Sequence, residues 1–517
     1  MNPRATRREW IGLAVIALPC VLYSMDLTVL NLALPLLSAD LRPSSAQLLW
    51  IVDIYGFLVA GSLITMGTLG DRIGRRRLLL IGAAAFGVAS VLAAFSTSAE
   101  MLIATRALLG VAGATLAPST LSLIRNMFLD PQERTFAIGV WVTSYSVGAA
   151  IGPLLGGILL EYFWWGSVFL LGVPVMVLLL AVGPTLLPEF RDPQAGRLDL
   201  PSAGLSLAAV LLMIYGLKRI AEAGPGWMPA ATIVVGLAVG ILFVRRQQTL
   251  ADPLIDLRLF RAPAFSASLA IYMVACFVAF GAYVFIAQYL QLVLGLSPLH
   301  AGLWTLPSML AFVAGSMLVP RIARRVRPAP MMVAGLLLSA AGFGVLTQVD
   351  VGTGLAAIVV GSVLYSLGLG PAIVLSTDLV VGSAPVERAG AASAISETSS
   401  ELGGALGIAI LGSIGTAVYR RVMTDAVPAG VPPEAAEAAR ATLGGALATA
   451  ERLPGPLGAE LLGPAREAFT QGLELTAALS AGLVIATALL AAWLLRGVRA
   501  SAEPETHRED TATCATC

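Results

Sequence analysis

Charge is scarce in this sequence: of 517 residues only 12% are Asp, Glu, Lys or Arg, about half the roughly 25% of a soluble protein. That shortage excludes a water-soluble enzyme. Lys218 is the single lysine among 32 basic residues, and no Gly-x-x-x-x-Gly-Lys-Ser/Thr loop surrounds it, which argues against nucleotide hydrolysis as an energy source. The only histidines are His300 and His507, too few for a zinc or histidine-based catalytic centre. Cys20, Cys276, Cys514 and Cys517 have neither metal-ligand spacing nor a disulfide pattern. With 32 basic against 31 acidic residues, the chain has no polyelectrolyte character to bring to a nucleic acid.

What is present is apolar, at 57% of residues and a mean hydropathy of +0.85. It comes in blocks of about twenty residues, each long enough to cross a hydrocarbon core of roughly 30 Å. Fourteen such spans read as 10–37, 47–69, 77–97, 100–124, 135–160, 164–186, 202–219, 226–245, 264–292, 299–320, 329–348, 353–382, 389–417 and 472–496. The fold class is therefore an all-α polytopic membrane protein, because unpaired backbone groups cannot face lipid. The basic N-terminus precedes no small-residue cleavage site, so the first span reads as retained. If the N-terminus is cytoplasmic, the inner segments hold 23 arginines and the short outer loops only Arg42, Lys218 and Arg219, which satisfies the positive-inside rule. An even count then puts both termini in the cytoplasm. The long outer segment 418–471, with Pro428, Pro432, Pro433, Pro454, Pro456 and Pro464, is expected to form short helices outside the membrane.

The loop Asp71-Arg72-Ile73-Gly74-Arg75-Arg76 returns as Pro320-Arg321-Ile322-Ala323-Arg324-Arg325, each time after the second helix of a six-helix half. Two parallel repeats leave such a trace. The expected organisation is an N-terminal half at 1–186, a linker with two extra spans at 187–263, a C-terminal half at 264–496 and a cytoplasmic tail at 497–517.

Four motifs carry a resemblance. The loop from Gly67 through Asp71, Arg72, Gly74, Arg75 and Arg76 is similar to the signature between helices 2 and 3 of the major facilitator superfamily. Arg106 in Leu102–Gly110 resembles the superfamily's proton-transfer motif in helix 4. Gly148, Gly152, Pro153, Gly156 and Gly157 resemble the antiporter pattern of helix 5, and Met25–Pro35 resembles helix 1 of the fourteen-helix branch. Together they resemble the fourteen-helix drug:proton antiporters. The stretches Trp50–Tyr55, Gln288–Gln291 and Ser396–Gly403 are similar to bacterial exporters of quaternary ammonium compounds, dyes and fluoroquinolones. Relatives that export divalent cations hold a further acid in helix 10, and residues 301–319 contain none.

Independently of resemblance, charges at membrane depth cost about 2.5 to 3.5 kcal/mol each and must be paired or used. Asp26, Asp53, Arg106, Glu397 and Glu401 qualify as candidates for proton coupling and cation binding. Glu397 and Glu401 are four residues apart, so they share a helix face and oppose joint ionisation. They read either as a cation and proton site or as a polar contact that orders packing, with Gly403, Gly404 and Gly407 allowing close approach beside them. Asp53, with Trp50 and Tyr55 nearby, reads as a lipophilic-cation site or a wet interfacial residue. Asp26 and Arg106 read as a switchable or a permanent pair, and Asp378 as interfacial. Gly67, Asp71, Arg72, Gly74, Arg75 and Arg76 read as a cytoplasmic gate, with Asp71 facing an arginine or a helix N-terminus of the other half.

The expected function is export of lipophilic cations in exchange for protons across a bacterial inner membrane. The partners are those cations, protons and lipid; the chain is read as a monomer that needs no cofactor. A dedicated exporter of one natural product and a non-transporting membrane sensor are the alternatives.

Overall fold

The computed structural model describes residues 4–43, 45–191, 198–224, 226–250, 253–323, 326–352, 354–453 and 456–496. Arg197, Arg324, Arg325 and the expected tail 497–517 lie outside them, as does the side chain of Pro153. The described residues form helices and no strand. The first eight are α1 (Arg7–Leu41), α2 (Ser45–Ile73), α3 (Arg75–Ala94), α4 (Ala99–Gly113), α5 (Leu116–Met127), α6 (Pro131–Tyr162), α7 (Ser167–Leu170) and α8 (Gly172–Leu186). Then come α9 (Leu200–Ala223), α10 (Trp227–Thr249), α11 (Pro263–Gln288), α12 (Pro298–Ile322) and α13 (Pro328–Leu346). The last are α14 (Leu355–Ser383), α15 (Ala389–Ala426), α16 (Pro433–Ala441), α17 (Leu443–Ala450) and α18 (Pro456–Leu494). Fourteen stretches are long and apolar enough to cross a membrane, the number read from the sequence.

Proline decides where spans break. The fourth span divides into α4 and α5 at Ala114 and Thr115, four residues before Pro118, whose missing N–H and bulky ring act on the carbonyl at that distance. The sixth divides after Leu170 in the same way, four residues before Pro174. The segment 418–471 departs from expectation at both ends: α15 runs to Ala426 and α18 begins at Pro456, leaving only α16 and α17 as short helices. Pro456 opens α18 where its missing N–H costs nothing, and Pro464 lies within the helix rather than ending it. The repeated loop is visible as structure, since α2 ends at Ile73 and α12 at Ile322, the matching positions of the two copies. Only the first copy needs glycine, because Gly74 has φ of 112° while Ala323 is helical at −61°.

Among the first six spans α1 lies along α6, α2 along α4, and α3 against α4 and α8; among the last six α11 lies along α15, and α14 along α12 and α13. The extra pair α9 and α10 pack on each other, and α9 also lies against both α2 and α15. The two groups of six meet mainly through α2 with α15, α6 with α12 and α5 with α15. Glycine permits the close contacts. A Cβ at Gly110 would sit 2.6 Å from the Tyr55 carbonyl, so α4 touches α2 backbone to backbone. On α6, Gly148 faces Val21 and Ser24 of α1, Gly156 faces Val29 and Gly152 is buried. Gly157 points elsewhere, with nothing within 4 Å of an added Cβ.

Beside the start of α9, Arg246 donates to both oxygens of Asp199 at 2.7 and 3.0 Å and holds that carboxyl down to about 2. This contact is complete above the ordinary carboxylate value of about 3.9 and weakens only as pH falls toward 2, so it is silent across the physiological range. Substitution of Gly110 by Val is expected to cost about 1 to 3 kcal/mol by overpacking and to lower the melting temperature of the purified protein. Gly157→Ala should leave it unchanged, and equal melting of the two variants would contradict the packing described.

Candidate functional site

Arg106 is 1% exposed and is pinned on every side. Its Nη1 donates to Asp26 Oδ2 at 2.6 Å and its Nε to the Ile51 carbonyl at 3.2 Å. Its guanidinium lies 4.7 Å from the Tyr55 ring centre and 5.8 Å from that of Phe169. One side chain of α4 therefore ties together α1, α2 and α7. Asp26 also lines a small cleft with Met25, Phe86, Ser90 and Phe169, between α1, α3 and α7.

From this pair a run of tyrosines leads to the second group of helices. Tyr55 and Tyr23 have ring centres 6.1 Å apart, Tyr23 and Tyr145 5.7 Å, and Tyr145 and Trp141 4.9 Å. The Tyr23 hydroxyl donates to Glu401 Oε1 at 2.9 Å, and from the opposite side Tyr272 of α11 donates to Glu397 at 3.4 Å. Cys276 and Ser400 meet at 3.1 Å beside them. The glycines after the acids serve this approach: a Cβ at Gly404 would lie 3.2 Å from Phe280, and Gly281 of α11 sits over Gly407. Glu397 and Glu401 are both partly accessible, and among the described residues neither has an ion-pair partner.

The other acids differ. Asp53 is bonded to Lys218 of α9, whose ammonium stands 4.8 Å from the Phe57 ring centre. Of the aromatics expected around Asp53, Tyr55 is turned to Arg106 and Trp50 to Phe57, 6.3 Å away.

At the arginine-rich end, Asp71 accepts a hydrogen bond from Arg75 Nε at 2.8 Å, and Arg75 Nη2 lies in ion-pair contact with the same carboxylate at 2.8 Å. It also accepts the backbone N–H of Gly390 and Ala391 at 3.0 and 2.9 Å. These are first-turn amides of α15, which have no acceptor within their own helix. Arg75, fully buried, donates onward to the Val386 and Glu387 carbonyls at 2.6 and 3.2 Å. Arg76 reaches the Pro184 and Leu187 carbonyls, and Arg72 lines a cleft with Asp71, Asp256 and Arg388. Gly67 lets α2 meet α15, since a Cβ there would be 2.5 Å from both Ala394 and the Gly390 carbonyl.

A second latch had no sequence signal strong enough to find it. Asp378, read as interfacial, is 6% exposed and accepts from Arg134 Nε at 2.6 Å and Thr135 Oγ1 at 2.7 Å, joining α14 to α6. Nearby, a Cβ at Gly139 of α6 would lie 3.3 Å from the Ser316 carbonyl of α12. Tyr23, Tyr145 and Tyr272 were also missed. Tyr23 could have been found, because it precedes Asp26 by three residues and shares its face.

The family model described as Major Facilitator Superfamily matches residues 16–408. The chain is 47% identical to the multidrug efflux pump LfrA of Mycolicibacterium smegmatis, over 94% of this chain and 97% of that protein. It is 38% identical to the methyl viologen resistance protein SmvA of Salmonella typhimurium, over 89% and 93%, and 31% identical to the tetracenomycin C resistance and export protein of Streptomyces glaucescens, over 94% and 91%. Among solved structures, the human organic anion transporter MFSD10 superposes with a TM-score of 0.60 at 16% identity, covering 93% of this chain and 99% of that one. A bacterial homologue of the lysosomal transporter Spinster, inward-facing and unoccupied, gives 0.54 at 18%, covering 94% and 98%.

The two latches generate a test. With Cys20, Cys276, Cys514 and Cys517 replaced by Ser and Ser316 by Cys, Asp71→Asn together with Asp378→Asn is expected to raise the labelling rate by a water-soluble maleimide about tenfold or more, since each 1.4 kcal/mol shifts such an equilibrium tenfold. Equal labelling with and without the two substitutions would show that they do not hold this end closed.

Proposed function

The chain belongs to the major facilitator superfamily, and from that premise we propose that it exports lipophilic cations in exchange for protons, with Glu397 and Glu401 holding either protons or cargo. Its multidrug-pump relatives support the exporter reading, and those bacterial relatives together with its fourteen spans make it a multi-pass protein of the bacterial cytoplasmic membrane. One observation carries the assignment of the site. Asp26, Asp53, Asp71 and Asp378 each have a resident cation, Arg106, Lys218, Arg75 and Arg134 respectively, whereas among the described residues Glu397 and Glu401 meet tyrosine hydroxyls from α11 and α1 and no ion-pair partner. The vacant charge partner is the cargo.

The chemistry follows from spacing. Two carboxyls one turn apart resist double ionisation, so in the absence of cargo a proton takes the place of a cation. A lipophilic cation arriving among Tyr23, Tyr55, Tyr145 and Trp141 gains ring faces for its charge and apolar surface for its body, and its charge favours loss of the proton. Protonation from the outer side reverses the exchange and weakens the hold on the cargo. Asp26, tied to Arg106, adjoins this site through Tyr55 and Tyr23, so a shift of α1 against α4 alters both together. Each proton entering supplies about 2.3 kcal/mol per 100 mV and roughly 1.4 kcal/mol per pH unit.

Residues 1–186 and 264–496 are the units that move, with 187–263 between them. The arginine-rich end is taken as cytoplasmic from the charge rule, and both latches are made here. Opening at the inner end requires Gly390 and Ala391 to leave Asp71, and Arg134 to leave Asp378. The tetracenomycin C relative supports a second reading, a narrower natural-product exporter with the same proton chemistry; a substrate panel separates it from a broad one.

In proteoliposomes with an imposed pH gradient, the wild-type protein should move ethidium, an uncoupler should stop it, and Glu397→Gln or Glu401→Gln should reduce transport to the level of empty vesicles. Full gradient-driven transport by Glu397→Gln would remove that residue from the mechanism.

A further inference from the structure

We propose that Lys218 is a tethered cation filling a second cation site, made by Asp53 and the rings of Phe57, Trp50 and Tyr215, and that by filling it Lys218 restricts the exporter to singly charged cargo. The inference rests on the cation-export reading above.

Lys218 is the only lysine in the chain, and it stands in the last part of α9, where a charge in lipid is expensive. Its placement is that of a bound ligand. The ammonium contacts the Asp53 carboxylate and lies 4.8 Å from the Phe57 ring centre. Phe57 is in turn flanked by Trp50 at 6.3 Å and Tyr215 at 6.4 Å. A carboxylate beside a ring face is the arrangement that holds a quaternary ammonium or pyridinium group, and here a side chain of the protein occupies it.

Lys218 is also placed to matter to the cargo. Its helix α9 lies along the seam where α2, which carries Asp53, meets α15, which carries Glu397 and Glu401. A cation held at Glu397 and Glu401 therefore has this second carboxylate nearby, already answered. For a singly charged cargo that is no loss. Glu397 and Glu401, one turn apart, meet one end of a cargo, so the second charge of an extended dication needs a carboxylate off α15; residues 301–319 supply none, Asp26 is held by the buried Arg106, and Asp53 is held by the more exposed Lys218. The bridge is not sealed: the side chain of Lys218 is 39% exposed and that of Asp53 16%, so the ammonium can be displaced or, by substitution, removed. Arginine is a poorer occupant of such a point site because its charge is spread over a planar fork, yet it preserves the neutralisation.

The test compares two flat aromatic cations of similar size, the singly charged N-methyl-phenylpyridinium and the doubly charged methyl viologen, as the ratio of their kcat/KM values in the same proteoliposomes. A ratio is independent of how much protein is correctly inserted. Lys218→Met is expected to raise the ratio of doubly to singly charged transport about tenfold, a differential of about 1.4 kcal/mol. Lys218→Arg should keep the wild-type ratio, and Lys218→Met with Asp53→Asn should bring it back to wild type or below. Should Lys218→Met fail to insert, Lys218→Gln carries the same expectation. A helix-anchoring role alone would lower both substrates together and leave the ratio fixed in every variant, which would overturn the proposal. If the wild-type protein moves neither cation under a proton gradient, the export reading itself fails instead.

Discussion

An ionised carboxylate in a lipid-surrounded bundle costs several kcal/mol unless a cation, a proton or strong donors answer it, and that constraint sorts the acids of this chain. Four aspartates are answered in this conformation by basic side chains: Arg106, Lys218, Arg75 and Arg134. Among the described residues the two glutamates of α15 are answered by tyrosine hydroxyls and by no cation. The four pairs hold the helices together in this conformation, and in the function proposed above the glutamates are the acids left for cargo or a proton to answer.

The two kinds of acid are mechanically linked because one helix carries both consequences. The first turn of α15 gives its amides to Asp71, and the same helix presents Glu397 and Glu401 two and three turns later. Any movement that withdraws Gly390 and Ala391 from Asp71 therefore carries the glutamates with it. On the other side of the seam, Tyr23 reaches Glu401 from α1, which Gly148 and Gly156 hold close to α6, and α6 bears the second latch at Arg134. Occupation of the glutamates and closure of the arginine-rich end thus act on the same contacts.

The fourteen spans were legible because lipid enforces long apolar runs, and no folding detail can disguise them. Their breaks were less so: Pro118 and Pro174 divide spans whereas Pro464 lies inside α18, and apolar content does not distinguish these outcomes. The contact of Asp26 with Arg106 was accessible only through the resemblance, which brings the first and fourth spans together. The partner of Asp53 was not, since Lys218 lies 165 residues away on one of the extra helices and nothing in either segment names the other. Asp378 looked interfacial from its distance to the span end; packing of α6 over α14 buries it. Tyrosines were the largest omission, because a phenol in an apolar span reads as packing until its hydroxyl is seen against a carboxylate.

The exchange at the centre of this account is most directly tested by counting protons when cargo binds. Tetraphenylphosphonium added to the purified protein in weakly buffered detergent solution, at a pH where the unliganded site is protonated, should release about one proton per cation bound. The protein carrying both Glu397→Gln and Glu401→Gln should release none. Binding of the cation to the wild-type protein with no proton released would contradict the account.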